Sequence, residues 1–180
     1  MSKPEIETLG STVVYKNRWM SVREDAIVRA DGSAGLYSVV DKPDFAVIAA
    51  VSDGEIHLVE QYRYPVKGRF WEMPQGSWEE QTVDPLVLAA AELREETGLV
   101  AGSMLHAGRL YLAYGYSSQA YDVFLASDLK AGENQLDAEE VGLICRAFKL
   151  GYFEDMLKDG TIRDATTVAA YGLLRLKGML

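Results

Sequence analysis

The segment from residue 84 to residue 98, DPLVLAAAELREETG, constrains the fold of this chain more than any other. Asp84 is placed to cap a helix, and Pro85 suits the first turn because a proline there gives up no hydrogen bond. Gly98 is placed to end the helix, since glycine readily adopts the left-handed conformation found at helix C-termini. We therefore expect one well-bounded helix. Its last turns carry three glutamates: Glu92, Glu95 and Glu96.

These glutamates form one stripe on the predicted helix. With Glu92 at zero and about 100° per residue, Glu96 falls about 40° to one side and Glu95 about 60° to the other. The side chains expected to face the core lie between about 100° and 160°; they are Leu86, Ala90, Leu93 and Thr97. No lysine interrupts the stripe, although like charges at this spacing destabilise a helix. Spacing alone leaves two interpretations open, a solvated acidic face or a set of oxygen ligands for Mg²⁺.

The rest of the chain alternates between strand and helix patterns. The first 40 residues read as strands, with a turn at Asn17 and a hairpin around Asp31-Gly32. The continuous apolar run FAVIAAV (45–51) predicts a buried strand, and EIHLVEQYRY (55–64) predicts a half-buried one. Further strands are expected within residues 108–127, and helices at 151–160 and 163–178. Asp164 is placed to cap the last of these helices. This order indicates an α/β or α+β sandwich.

The balance of charge limits the partners that this chain can bind. Its formal net charge is −9, from 18 basic and 27 acidic residues, so its surface repels nucleic acid and anionic membranes. A phosphorylated substrate would also be repelled unless arginines or bound cations reverse the charge locally. The N-terminus does not read as a signal peptide, and no apolar run reaches the roughly 18 residues that a membrane span needs. The single cysteine, Cys145, fits a reducing cytoplasm, and we expect it to be a structural thiol.

Residues 76–99, GSWEEQTVDPLVLAAAELREETGL, resemble the Nudix box, which is written G-x5-E-x7-R-E-U-x-E-E-x-G-U with U apolar. The Pro74-Gln75-Gly76 turn is similar to the family's entry to the box. The matching positions are Glu92, Leu93, Glu95, Glu96, Gly98 and Leu99. The resemblance implies a Nudix-like α/β/α sandwich with a mixed β-sheet.

Three further stretches resemble the ADP-ribose pyrophosphatase branch of that family; they are VEQYRYPV (59–66), DAEEVG (137–142) and DGTIRDATTVAAYGLLRL (159–176). The resemblance implies a Nudix hydrolase domain over residues 43–180. It also implies that residues 1–42 form an N-terminal β-rich extension that contributes to a homodimer.

Two positions depart from the box. Val83 stands where its first glutamate is expected, and the loop after Gly76 is one residue longer than the pattern. Ala91 stands where an arginine usually orients the glutamates by ion pairing. Glu79 or Glu80, in the longer loop, could replace the missing acid.

The resemblance implies Mg²⁺-dependent hydrolysis, with Mn²⁺ as a substitute ion. The bond cleaved is the pyrophosphate of a nucleoside diphosphate sugar, with ADP-ribose giving AMP and ribose 5-phosphate as the first expectation. The metal ligands implied are Glu92, Glu95 and Glu96, joined by the backbone carbonyl of Gln75, and Glu96 is the most secure of them. The general base is expected in the acidic segment DAEEVG (137–142), which we call the acidic loop. Glu139 is the first choice, and Glu140 and Asp137 are the alternatives.

Substrate contacts are expected from residues outside the helix. Arg63 can grip a phosphate with bidentate hydrogen bonds, and Glu72 can help to bind substrate or metal. Trp19, and less surely Tyr15, could stack on adenine near a dimer interface, although each could equally be ordinary core. Arg63 could instead simply pair with an acid.

Two other functions stay open: cleavage of GDP-mannose or another nucleotide sugar, and binding of a nucleotide sugar without cleavage.

Overall fold

The computed structural model describes residues 4–78, 83–132 and 142–180. These residues form two compact units. The first comprises the described residues up to Asp44 together with Tyr111–Ala120, and the second comprises Phe45–Leu110 and the described residues from Tyr121 onward. None of the helices in the described ranges combines the length and the apolar character that crossing a membrane requires.

The first unit is built on a three-stranded antiparallel sheet. Its strands, in the order β1-β2-β3, are β1 (Ile6–Lys16), β2 (Ser21–Arg29) and β3 (Ala34–Asp41). Asn17 makes the first turn, where its side-chain oxygen accepts hydrogen bonds from the N–H groups of Trp19 and Met20. Gly32, with φ of 86°, lies in the second turn, next to Asp31. Both turns predicted from the sequence are confirmed.

In the second unit, the described residues form a mixed sheet of seven strands and three α-helices. The bounds are β4 Phe45–Ser52, β5 Glu55–Arg63, β6 Gly68–Glu72, β7 Gln75–Gly76, α1 Pro85–Thr97, β8 Leu99–Tyr111, β9 Ala120–Ala131, β10 Ile144–Lys149, α2 Leu150–Lys158 and α3 Ala165–Leu176. The main path of the sheet is β10-β5-β4-β9-β8, with β6 paired to β5 and β7 paired to β4. The β4–β9 pair is parallel, whereas β4 pairs antiparallel with β5 and β7.

The strand β4 explains why this sheet has helices on both faces. Its side chains alternate between the two faces, as the period of a strand requires. Ala46, Ile48 and Ala50 pack with Leu88, Ala89 and Leu93 of α1, whereas Val47 and Ala49 belong to the cluster that contains Phe153 and Met156 of α2 and Ala170 and Leu174 of α3. The continuous apolar run is therefore a strand buried on both faces, and the expected α/β/α sandwich is confirmed.

The helix α1 has the ends that the sequence predicts. The side chain of Asp84 accepts a hydrogen bond from the N–H of Leu86 at 2.8 Å, and Pro85 is the first helical residue. Gly98 follows the helix with φ of 70°, and its N–H donates to the carbonyl of Arg94. The cap at Asp84 and the left-handed Gly98 therefore confirm the predicted start and end of the helix.

The inward face of α1 differs from the prediction. Its buried residues are Leu88, Ala89, Glu92, Leu93 and Glu96. On the helical wheel these positions run from about −40° to about 100°, so the buried face is centred on the glutamates. Of the predicted apolar stripe, Leu86 and Ala90 are exposed and only Leu93 is buried. The prediction was wrong because it assumed that carboxylates lie outside the core, whereas here two of them point inward.

This face can be tested with two leucines of the same helix. Leu93 is fully buried, so Leu93→Ala should lower the free energy of unfolding by about 2–5 kcal/mol through lost transfer energy and a residual cavity. Leu86 is 45% exposed, so Leu86→Ala should change it by no more than about 0.5 kcal/mol. Urea denaturation of both variants measures the difference. Equal losses for the two variants would contradict the assigned face.

Candidate active site

Residues Met73–Gly76, which follow β6 and include β7, place backbone atoms against the glutamates of α1. We call this segment the β6–β7 turn. The N–H of Gln75 donates to Oε2 of Glu96 at 3.0 Å. Gly76 lies so close to Glu92 that a Cβ added there would be 2.2 Å from Glu92 Oε2. Glycine is required at this position because it lets the backbone approach a side chain this closely. The structure thus brings Gln75, Glu92 and Glu96, all predicted from the sequence, into one place.

The burial of the carboxylates narrows the interpretation of the stripe. Glu92 is 5% exposed and Glu96 is 1% exposed, while Glu95 is half-buried. Taking an ionised carboxylate out of water is costly unless it is paired, hydrogen-bonded or bound to a metal. A solvated acidic face is therefore excluded for Glu92 and Glu96. Carboxylate oxygens placed side by side next to a backbone turn are the donors that Mg²⁺ prefers.

The described residues hold only part of the predicted donor set. Within the described ranges, no group of three or more His, Cys, Asp or Glu side chains is gathered in a way that could hold a metal ion. The acids expected from the two loops lie outside the described residues: Glu79, Glu80, Asp137, Glu139 and Glu140. By chemistry, the α1 carboxylates and the Gln75–Gly76 backbone fit a divalent cation.

Arg63 and Glu72 form an ion pair beside this turn. The Nη2 of Arg63 donates to Oε1 of Glu72 at 2.6 Å, and its Nε donates to Oε2 at 3.3 Å. Burial raises the pKa of Glu72, and the positive charge of Arg63 partly offsets that rise. The Arg63 side chain is 41% exposed, whereas that of Glu72 is 3% exposed. Arg63 therefore reaches a buried acid of the site itself while one side of it faces solvent.

The side chain of Gln75 connects this pair to the start of α3. Its Nε2 donates to Oε2 of Glu72 and to Oδ2 of Asp164, each at 3.2 Å. The backbone carbonyl of Gln75 stays a predicted metal ligand; the hydrogen bonds that the structure shows are those of its N–H and its carboxamide. Asp164 is the N-cap of α3, as predicted, and also a part of this network, which was not predicted. No sequence signal joins residues 89 positions apart.

Val83 and Ala91, the two departures from the box, are both half-buried. Val83 packs against the hydrophobic cluster that α1 forms with β4. An apolar side chain suits that position because a glutamate there would bring a further charge to the edge of a core.

Trp19 and Tyr15 lie in the first unit. The indole of Trp19 is 44% exposed, and the guanidinium of Arg18 lies 4.9 Å from its ring centroid. Tyr15 is 52% exposed, so neither side chain is ordinary core in this chain.

Cys145, on β10, is half-buried in the second unit. Burial, and secondly the negative charge of Glu96, raise the pKa of its thiol to about 11. The thiol therefore stays protonated at neutral pH, in agreement with a structural role rather than a nucleophilic one.

Two sequence models of known families match this chain. One, described as the nucleoside diphosphate sugar hydrolase N-terminal domain, matches residues 6–40. The other, described as the NUDIX domain, matches residues 42–170.

Individual proteins are similar over most of their length. The ADP-ribose pyrophosphatase of Mycobacterium tuberculosis is 31% identical over 145 residues, which are 79% of this chain and 70% of that protein. The ADP-ribose pyrophosphatase of Bacillus subtilis is 28% identical over 186 residues, which are 100% of this chain and 98% of that protein. A crystal structure of an ADP compounds hydrolase has the same fold, with a TM-score of 0.86 and 22% identity, and covers 99% of this chain and 98% of its own.

The raised pKa of Cys145 gives a prediction that needs no substrate. At pH 8 a thiol with a pKa of about 11 instead of 9 holds about a hundredfold less thiolate, so its reaction with a disulfide reagent should be about a hundredfold slower than in urea-unfolded protein. Because the thiol has a higher pKa in the folded state than in the unfolded state, the folded protein binds its proton more tightly. The free energy of unfolding should therefore fall as pH rises from about 9 to about 11. Equal reaction rates in folded and unfolded protein would contradict the burial of this thiol.

Proposed function

Because this chain belongs to the Nudix family and is a Nudix hydrolase, we propose that it hydrolyses the pyrophosphate of a nucleoside diphosphate sugar in a Mg²⁺-dependent reaction. The proposed substrate is ADP-ribose, and the products are AMP and ribose 5-phosphate. One observation carries this proposal: Glu92 and Glu96 are buried against the Gln75–Gly76 backbone, where their carboxylate oxygens suit a divalent cation. The names of the relatives from Mycobacterium tuberculosis and Bacillus subtilis support the choice of substrate.

The metal would be held by Glu92, Glu95 and Glu96, with the backbone carbonyl of Gln75 as a further ligand. Divalent cations, when bound, neutralise charge on phosphoryl oxygens and lower the pKa of an attacking water; Mn²⁺ is the expected substitute for Mg²⁺. Glu96 is oriented for this task by the N–H of Gln75, which donates to one of its oxygens at 3.0 Å. Glu92 is oriented by the close packing of its carboxylate on Gly76.

Arg63 and Glu72 would bind the substrate. Two N–H groups of the Arg63 guanidinium point at Glu72, and a guanidinium has five such donors. Because the side chain is 41% exposed, donors on its outer side can reach a phosphate oxygen. Glu72 holds the guanidinium in one orientation, so the contact with phosphate costs little side-chain entropy.

A proton acceptor for the attacking water is proposed in the acidic loop, with Glu139 first and Glu140 and Asp137 as alternatives. An acid there must come within hydrogen-bond reach of the water, directly or through one further water.

A homodimer in the cytoplasm is the expected state of the enzyme. Several large apolar side chains of β1–β3 are exposed: Ile6, Leu9, Val13, Val14 and Leu36. This number of exposed apolar side chains on one set of strands supports a partner on the β-rich extension. Trp19, exposed in the same unit, is the proposed stacking surface for adenine.

A substrate panel tests the proposed function. Purified protein with Mg²⁺ should convert ADP-ribose to AMP and ribose 5-phosphate, as followed by chromatography, and should do so faster than it cleaves GDP-mannose or UDP-sugars. Preference for another nucleotide sugar would keep the chemistry and reject the substrate. Binding without turnover of any member would reject the enzyme in favour of a nucleotide-sugar-binding module.

Glu96→Gln tests the role of the most buried carboxylate. Changing a group behind a metal ligand already costs about 10- to 100-fold, so loss of the ligand's own charge should lower kcat by at least about a hundredfold. The fold should persist, because the amide keeps nearly the same volume and can still accept the Gln75 hydrogen bond. Circular dichroism and turnover with Mg²⁺ measure the two effects. Unchanged turnover would show that Glu96 is not a ligand.

Gly76→Ala tests the close packing of the Glu92 carboxylate on the Gly76 backbone, which we call the cradle of Glu92. The added Cβ would lie 2.2 Å from Glu92 Oε2, so the carboxylate must move and activity should fall by at least about tenfold. Gly172→Ala in α3 is the matched control, because a Cβ there meets nothing within 4 Å; its activity should equal that of the wild type. Equal activity of all three proteins would contradict the cradle.

A further inference from the structure

The start of α3 touches the β6–β7 turn through two side chains. Thr167 is fully buried, and its hydroxyl accepts a hydrogen bond from the N–H of Met73 at 2.9 Å. The same hydroxyl donates to Oδ2 of Asp164 at 2.8 Å. A threonine hydroxyl has one hydrogen to donate, so its orientation is fixed by Asp164, and its lone pair then faces Met73.

Asp164 holds the other end of the turn. Its Oδ2 accepts from the carboxamide of Gln75 at 3.2 Å and from the N–H of Thr167 at 2.8 Å. The N-capping role of Asp164 explains the bond to Thr167 N–H, but it does not explain the bond to a side chain on another element. One carboxylate oxygen thus connects the helix terminus, the Thr167 hydroxyl and Gln75.

The turn held in this way is the one that contacts the α1 glutamates. Met73 is fixed through its N–H, and Gln75 through its side chain, whereas the N–H of Gln75 donates to Glu96. A shift of the turn would therefore move the hydrogen bond to Glu96 and the glycine against which Glu92 packs.

We propose that Asp164 and Thr167 are positioning residues: they clamp the Met73–Gly76 turn and so fix the orientation of Glu96 and Glu92 for metal binding. This inference rests on the proposed function for the identity of the ligand, a divalent cation. It assigns the N-terminus of α3 a second task besides starting a helix. Neither residue contacts the reacting atoms; both act through the turn.

Thr167→Val is the central variant, because valine keeps the shape of threonine but lacks the hydroxyl. Thr167→Ser keeps the hydroxyl and should restore wild-type behaviour. Gln75→Met breaks the contacts of the carboxamide with both Asp164 and Glu72, while leaving the Gln75 N–H in place. Ala170→Gly is the control for stability, since this fully buried alanine lies on the same helix outside these contacts, and glycine weakens a helix interior.

Two readouts separate positioning from stability. Binding of Mn²⁺ alone, by titration calorimetry, should weaken about 10- to 100-fold in Thr167→Val and in Gln75→Met, but not in Ala170→Gly or Thr167→Ser. Hydrogen exchange without metal should speed up at the Met73 and Gln75 amides of Thr167→Val relative to the Val123 amide in β9. In Ala170→Gly, any faster exchange should not be concentrated at those two amides.

The outcomes distinguish this proposal from the proposed function. Equal Mn²⁺ affinity and equal exchange in Thr167→Val and Ala170→Gly would overturn the clamp, even if the wild type hydrolyses ADP-ribose. A wild type that binds Mn²⁺ but cleaves no nucleotide sugar would reject the proposed function, and the selective losses in Thr167→Val would still support the clamp. A wild type that binds no Mn²⁺ would overturn both.

Discussion

The contact on which this structure most depends is that of two buried carboxylates with a backbone turn. Glu92 packs on Gly76, and Glu96 accepts a hydrogen bond from the N–H of Gln75. A helix that contributes Leu88, Ala89 and Leu93 to a core does not normally point glutamates in the same direction, because each buried charge costs several kcal/mol unless something compensates it. Two glutamates buried beside these apolar residues set α1 apart from a helix that only supports the fold, and natural proteins place such departures from hydrophobic patterning at functional sites.

The sheet explains why the turn and the helix meet. β7 pairs with β4 through Ala46 with Gly76 and Val47 with Gln75, so the turn is fixed to the central strand of the unit. Ala46 is also part of the cluster that receives α1. One small residue thus contacts both partners, and the strand that organises the core also sets the distance between the turn and the glutamates.

The sequence predicted this site in part, and the limits have physical causes. The caps of α1 and the buried strand β4 follow from local chemistry and were predicted correctly. The inward direction of Glu92 and Glu96 could not follow from hydrophobic patterning, which places charged residues outside by construction. Contacts between distant segments, such as Thr167 with Met73 and Asp164 with Gln75, leave no periodic trace. Asp164 shows this well, because its local role as a cap was predicted and its distant role was not.

The charges of the site also bear on how a substrate could bind. The proposed substrate, a nucleoside diphosphate sugar, would bring negative phosphates to a chain whose formal net charge is −9. The guanidinium of Arg63 already lies on Glu72, so much of its charge is used within the protein. Glu92 and Glu96, which contact Gly76 and Gln75, add negative charge to the site. Cations held by these glutamates would make the local charge positive and so attract the phosphates. Arg63 would then mainly orient a phosphate that the cations attract. The acidic stripe and the proposed acidic substrate would then be compatible for the same reason, because both would bind the metal.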